Sequence, residues 1–283
     1  MAIEARTILI EASAILAAAG IDSAKGDARL LLGIALGHDR AVLPHETLPY
    51  YSDADAARFD DLLARRCGGE PVSRIRGWRE FWSLRFGLSA GTLDPRPDSE
   101  ILVERAIGFA KQSVDLRLLD VGTGSGCLLL ACLSELPLAT GIGIDANADA
   151  IVTATDNARA LGLAGRATFA NRNFADRVDD LGQFDIILCN PPYIPSGDID
   201  HLAPEVAQYD PRLALDGGDD GLECWRVLMP VMAALLSPQG RAFLEIGDGQ
   251  AEDVGALASA AGLVSAGIHD DLSGVARCIS LQK

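Results

Sequence analysis

Leu118-Leu119-Asp120-Val121-Gly122-Thr123-Gly124-Ser125-Gly126 is a short apolar run that ends in three glycines at alternate positions. The apolar half reads as a buried strand, and Cys127 to Leu136 reads as the helix that follows it. Glycines at such a turn let the backbone approach a ligand closely, and the start of the helix offers unpaired N–H groups. The unit then repeats. Thr140 to Ile144, ending at Asp145, is a second strand, and Ala148 to Leu161 is a helix closed by Gly162. Ala167 to Ala170 and Phe184 to Cys189 are the third and fourth strands. Asp219 to Leu236, Arg241 to Ile246 and Gln250 to Ala260 continue as helix, strand and helix. Leu263 to His269 and Ala276 to Leu281 close the chain as a pair of strands. Alternation of this kind specifies an α/β fold with a doubly wound, mostly parallel seven-stranded sheet, whose ligands sit at the carboxyl ends of the strands.

The chemically unusual residues fall at those ends. The fourth strand runs into Asn190-Pro191-Pro192-Tyr193-Ile194. Two prolines remove two backbone donors, stop the ladder and stiffen the chain beside the Asn190 amide. An amide carbonyl, a proline carbonyl and an aromatic face are the parts needed to grip a planar –NH2 group. A plain proline-broken turn is the bland alternative, and the glycine loop upstream weighs against it. That loop departs from the dinucleotide pattern G-x-G-x-x-G, because position 127 is Cys and the third glycine comes one residue early. No Lys follows the glycines, so it is no Walker loop either. Asp145, about twenty residues further on, can accept from both hydroxyls of a ribose. Asn171-Arg172-Asn173-Phe174 offers an amide and a ring that could bracket an adenine, although an ordinary polar loop explains it equally well on spacing alone. A nucleoside with no phosphate requirement is the natural guest.

No nucleophile stands out. Ser125 is not in a G-x-S-x-G elbow, and the histidines at 38, 45, 201 and 269 are scattered. A chemistry without a protein nucleophile or a metal therefore fits, and methyl transfer from a sulfonium is one, since the protein mainly aligns the acceptor.

The 283 residues are 49% hydrophobic and 23% charged, enough for one large or two modest domains. The net charge of −16 disfavours nucleic acid as the direct substrate. None of the six cysteines forms a C-x-x-C pair or lies at metal spacing from a His, which points to a reducing cytosol. Met1-Ala2-Ile3-Glu4-Ala5-Arg6 has no signal-peptide layout, and runs such as Cys127 to Leu133 are too short to cross a bilayer. A cytoplasmic protein without membrane contact is expected.

Residues 1–85 read as a separate helical domain. Thr7 caps a helix from Ile8 to Ala19, and a second helix starts at Asp22 or Ser23 and stops at Gly37. Ser52 opens a third with Phe59, Leu62 and Leu63 on one face, Asp53 and Asp55 in its first turn and Arg65-Arg66 in its last. Phe81, Trp82, Leu84, Phe86 and Leu88 suggest a hairpin linker reaching to about residue 95. Asp94-Pro95-Arg96-Pro97-Asp98-Ser99-Glu100 is then a stiff loop in which Asp98 or Ser99 caps a helix to about Gln112.

Taken with Glu70-Pro71, Trp78-Arg79-Glu80-Phe81-Trp82, Tyr209-Asp210-Pro211-Arg212, Leu215-Asp216-Gly217-Gly218, Asp220-Gly221-Leu222, Leu244-Glu245-Ile246-Gly247 and Asp271-Leu272-Ser273-Gly274, these segments resemble the S-adenosylmethionine-dependent methyltransferases. More closely, they resemble the PrmC (HemK) family, the protein-(glutamine-N5) methyltransferases of peptide chain release factors. Asn-Pro-Pro-Tyr alone is shared with adenine-N6 methyltransferases, and the sum of the segments is what is specific.

The resemblance implies a class I methyltransferase domain over 96–283 and a release-factor-docking domain over 1–85. It implies S-adenosylmethionine as cofactor, S-adenosylhomocysteine as product, and a monomer. Gly122, Thr123, Gly124, Ser125 and Gly126 would line the methionine end of the cofactor, and Asp145 would bind its ribose. Asn173 and Phe174 would meet the adenine, with Arg96, Pro97 and Asn190 nearby. Asn173 stands where the family commonly has Asp, and Asp94 where it favours an apolar residue. Asn190 and Pro191 would accept from the glutamine amide, Tyr193 would pack on its plane, and Pro192 would complete the substrate site. A glutamine methyltransferase of a ribosomal protein and an adenine-N6 nucleic-acid methyltransferase are the rival enzymes. A non-catalytic S-adenosylmethionine-binding module is disfavoured by the intact tetrad.

Overall fold

The computed structural model describes residues 3–110, 115–176 and 178–283. The chain divides into two compact units, Met1–Gly77 with Pro204–Tyr209, and Trp78–Ala203 with Asp210–Lys283.

The first unit contains β1 (Ile3–Glu4), α1 (Ala5–Ala18), α2 (Ala24–Ala35), β2 (Thr47–Leu48), α3 (Asp53–Cys67) and α4 (Val72–Arg76). Leu9, Leu16, Leu31, Leu32, Phe59, Leu62 and Leu63 form its core. Thr7 does not cap α1. The helix starts at Ala5 because β1 pairs with β2 and hands over directly, with Ala5 N–H donating to the Glu46 carbonyl (3.1 Å). Ser52 does cap α3, in a reciprocal box with Asp55. Arg66, from the last turn of α3, is buried between Asp27 (2.7 Å) and Glu205 (3.1 Å). A buried cation of this kind needs both partners, and Glu205, with the Tyr209 hydroxyl that donates to the Gly68 carbonyl, ties the 204–209 segment to this unit.

The second unit opens with β3 (Trp78–Phe81) and β4 (Leu84–Gly87), a hairpin whose two turn residues, Trp82 and Ser83, have φ of 51° and 57°. A short 3-10 turn, Pro97–Ser99, leads into α5 (Glu100–Ala110), and the expected end at Gln112 lies outside the described residues. Then come β5 (Arg117–Val121), α6 (Cys127–Glu135), β6 (Thr140–Asp145), α7 (Ala148–Ala160), β7 (Ala167–Asn171) and β8 (Phe184–Cys189). After the excursion through α8 (Pro204–Ala207), the unit resumes with α9 (Glu223–Leu235), β9 (Leu236–Glu245), α10 (Ala251–Ala260), β10 (Val264–Asp270) and β11 (Ala276–Gln282). Helix α9 starts four residues later than the sequence suggests. Gly218 and Gly221 hold φ of 85° and 73°, and Asp220 Oδ1 accepts from Leu222 N–H, so the stretch before it is a glycine turn.

The seven strands lie in the order β10-β11-β9-β8-β5-β6-β7. The five from β9 to β7 are parallel, and β11 runs antiparallel between β9 and β10. Both faces are covered. Leu118 and Ile186 join the core with Leu129 and Phe86, whereas Leu119 and Ile187 point to the other face with Trp225, Met229 and Leu235. Strand order reverses between β5 and β8, and Val121 lies opposite Cys189. The glycine loop and Asn190 therefore leave the sheet side by side at the switch point, where open α/β sheets bind ligands.

Candidate active site

A cavity of about 210 Å³ opens at those strand ends. Gly122 to Ser125, Asp145, Asn173, Phe174, Asn190, Pro192 and Arg96 all line it. Gly126, Pro97, Pro191 and Tyr193, also expected at the site, do not line it. Gly126 (φ 81°) is the N-cap of α6, and a Cβ there would press on Ala154 and Leu130 at 3.2 Å, so its task is close helix packing. Pro97 starts the 3-10 turn, and Pro191 is buried.

The glycine loop is held from behind. Gly122 and Thr123 N–H both donate to the Ile144 carbonyl (2.9 and 3.0 Å). Gly122 and Gly124 have φ of 71° and 54°, a region costly for any residue with a Cβ. A Cβ at Gly124 would meet nothing, so the space beside it is free for a ligand. Asn157 of α7 clamps the far side. It accepts from Gly87 N–H (2.7 Å) and donates to the carbonyls of Gly87 (3.1 Å) and Ser125 (2.9 Å). Nothing in the helical pattern of α7 marks that residue beforehand.

Asp145 Oδ2 accepts from Gly124 N–H (2.9 Å) and Oδ1 from Asn147 N–H (2.8 Å). Each oxygen keeps a lone pair for a further donor. Burial holds this carboxyl above the usual range, and the two N–H bonds act against that shift. Asn173 Oδ1 accepts from Ala175 N–H (2.9 Å), which ties the amide into its own loop beside Phe174.

Asp120, fully buried below the loop, accepts from Thr123 Oγ1 (2.6 Å). Burial pushes it up to about 7. An unfolded Asp ionises near about 4, so between those values the folded state keeps a proton the unfolded state has lost, and stability falls as pH rises. Asp120→Asn lacks that penalty. Its melting temperature relative to wild type should therefore rise between about pH 4 and about pH 7 and level off above. A difference that stays constant with pH would contradict the burial argument.

Asn190 Nδ2 lies 3.3 Å from Ser99 Oγ, and Ser99 Oγ donates to Glu245 Oε2. Ser99 is therefore not a helix cap. Tyr193 donates its hydroxyl to Glu245 Oε1 (3.1 Å), and its ring packs against Gly247, where a Cβ would approach it to 3.2 Å. Burial and the Glu245 charge push the phenol well above its ordinary value, so Tyr193 is a neutral donor, not a base. Gln250 holds the same residue by its backbone, donating to the Tyr193 carbonyl (3.0 Å).

Arg96 pairs with Asp210, whose other oxygen accepts from Asp94 N–H (3.2 Å). This ties the Pro-Arg-Pro loop to the Tyr-Asp-Pro-Arg segment. Asp94, unexplained in the sequence, is buried with its carboxylate 3.8 Å from Arg79 Nε.

Residues 7–77 match the family model of the PrmC N-terminal domain, and residues 86–208 that of the methyltransferase small domain. The release factor glutamine methyltransferase of Rhodospirillum rubrum is 47% identical over 270 residues, 92% of this chain and 79% of that protein. That of Bradyrhizobium diazoefficiens is 44% identical over 272 residues, 95% of this chain and 91% of that protein. Among solved structures, the release-factor-specific protein-(glutamine-N5) methyltransferase of Alicyclobacillus acidocaldarius is 28% identical, covering 66% of this chain and 92% of that one, with a TM-score of 0.40. Identity at this level, across both the helical unit and the sheet, places the chain: it belongs to the release factor glutamine methyltransferase family.

Proposed function

We propose that this chain transfers a methyl group from S-adenosylmethionine to the N5 nitrogen of the glutamine in the Gly-Gly-Gln motif of peptide chain release factors. The observation that carries the reading is the shared cavity. The amide of Asn190 and the glycine loop face the same space at the switch point.

The residues present suit the cofactor. The open side of Gly124 admits a ligand against the backbone, and the spare lone pairs of Asp145 suit a vicinal diol. Leu93, Pro95 and Phe174 give the same cavity an apolar wall for a base. S-adenosylmethionine, when bound, supplies an already activated methyl group. The chain's own task is then to hold the acceptor. Asn190 Oδ1 accepts from one N–H of the glutamine amide, and the carbonyl of Pro191, a buried residue off the cavity wall, is the acceptor proposed for the other. The lone pair of that nitrogen is tied up by resonance, and two acceptors favour the positive charge that develops on it. Tyr193 is fixed from behind by Glu245 and Gln250, and it keeps the Asn-Pro-Pro-Tyr turn in shape.

The N-terminal region expected over 1–85, of which 1–77 form the helical unit, would dock the release factor, and residues 96–283 would carry the chemistry, as a monomer in the cytoplasm. Incubation with labelled S-adenosylmethionine and a release factor should place one methyl group on the Gly-Gly-Gln glutamine, read by mass spectrometry. A factor with that glutamine replaced should remain unlabelled. Equal labelling of both, or labelling of ribosomal protein or DNA in preference, would overturn the assignment.

A further inference from the structure

Ser99 has no role in the reading above, and Glu245 serves there only to hold Tyr193, yet both are buried, at 3% and 2% exposure, and Ser99 meets the Asn190 amide directly. Glu245 ends β9, the strand beside β8, and Ser99 ends the 3-10 turn after the Pro-Arg-Pro loop. The contacts run in one direction. Asn190 Nδ2 donates to Ser99 Oγ (3.3 Å), Ser99 Oγ donates to Glu245 Oε2, and Tyr193 donates to Glu245 Oε1 (3.1 Å).

That direction has a consequence. An ionised carboxylate only accepts. Ser99 has one hydroxyl proton, and it is committed to Glu245, so toward Asn190 its oxygen can only accept. An amide that meets an acceptor must present its NH2, which turns Oδ1 the other way. Without Ser99, the two ends of the Asn190 amide differ little in size and either could face the cavity. With NH2 outward, Asn190 would meet a substrate NH2 donor to donor, and the buried pair would go unsatisfied. Burial raises Glu245. The bonds from Ser99 and Tyr193 and the nearby Arg277 guanidinium act to keep it charged, against Asp98.

We propose that Ser99 and Glu245 are positioning residues that lock the Asn190 amide with Oδ1 toward the substrate glutamine. The same carboxylate holds Tyr193 in place, so one buried charge sets both ends of the Asn-Pro-Pro-Tyr turn. The inference rests on Asn190 being the amide acceptor, as proposed above. It gives Ser99 a task other than the cap expected of it, and gives one to Leu-Glu-Ile-Gly, whose role the sequence leaves open.

A merely structural Ser99 would tie a loop to the sheet, and its loss would weaken cofactor binding or folding before turnover. The test separates these. Ser99→Ala should lower kcat about tenfold or more, with the dissociation constant for S-adenosylmethionine within about twofold of wild type. Ser99→Thr keeps a hydroxyl and should recover kcat to within about threefold. Glu245→Gln should lower kcat by a similar factor, and the double variant with Ser99→Ala should be no worse than the more severe single one, because both act through one chain of bonds. Unchanged kcat in Ser99→Ala, independent factors that multiply in the double variant, or a kcat loss matched by lost cofactor binding would each overturn the inference. Should Glu245→Gln fail to fold, the Ala and Thr variants of Ser99 decide alone. Asn190→Ala is measured alongside. If it keeps its turnover, the acceptor role itself fails. If it loses turnover while Ser99→Ala does not, only the positioning role falls.

Discussion

Asn190→Ala should lose about 10²- to 10³-fold in kcat while its dissociation constant for S-adenosylmethionine moves by no more than about threefold. The size follows from what is removed. An amide nitrogen is a poor nucleophile, and the reaction places positive charge on it. An acceptor pre-aimed at that nitrogen is worth more in the transition state than in the ground state, so its loss appears in kcat. The cofactor side is spared, because the glycine loop is held by hydrogen bonds to Ile144 and Asn157 that do not pass through the Asn190 side chain. Asn190→Asp is the informative companion. It keeps an oxygen acceptor but removes the NH2 that meets Ser99. A second carboxylate would then face Ser99 and Glu245, so Asp should also be slow, with the loss growing as pH rises and the new carboxylate ionises. Single-turnover rates at saturating cofactor measure both variants. An Asn190→Ala enzyme within about threefold of wild type would remove the acceptor role.

How much of this was visible in the chain follows from the range of the forces involved. The sheet was legible because its central parallel strands, β5 and β8, are buried apolar runs bounded by polar or glycine residues. Phe184–Cys189 was read to the residue, and the switch point followed from the alternation. Element ends were less legible where tertiary contacts set them. Helix α1 starts at Ala5 because of pairing between β1 and β2, two dipeptides too short to give any period. Helix α4 (Val72–Arg76) is a single turn and leaves no stripe. The same holds at the site. Gly122 to Ser125, Asp145, Phe174 and Asn190 were legible, since glycine, proline and strand-end carboxylates have local chemical reasons to be where they are. Ser99, like Asp98, looks like a cap in the sequence, because Ser before a helical run is a local signal, and its partner Glu245 lies 146 positions away. Asn157 was invisible for the same reason, as an amide on a helix gives no sign that it spans to Gly87 and Ser125. Asp94 made sense only once Arg79 was beside it.

Asp145→Ala carries the second large effect, and it should fall on the cofactor. The affinity for S-adenosylmethionine is expected to drop about 10²-fold, about 2.7 kcal/mol, with kcat at saturation lowered far less. Two losses combine. The ribose hydroxyls lose a charged acceptor, and the N–H groups of Gly124 and Asn147 lose theirs, which loosens the loop that must receive the ligand. Asp145→Asn tests the charge separately, since it keeps an oxygen for one N–H but turns an NH2 toward the other. The wild-type protein supplies a further check through pH. Burial holds the Asp145 carboxyl above the usual carboxylate range, and only the ionised form accepts at both oxygens. Affinity should therefore decline on acidification, starting at a higher pH than an exposed aspartate would give. The Ala variant should lack that decline. Calorimetric titration of the cofactor across the acid range measures it, and parallel curves for wild type and Asp145→Ala would show that Asp145 does not hold the ribose.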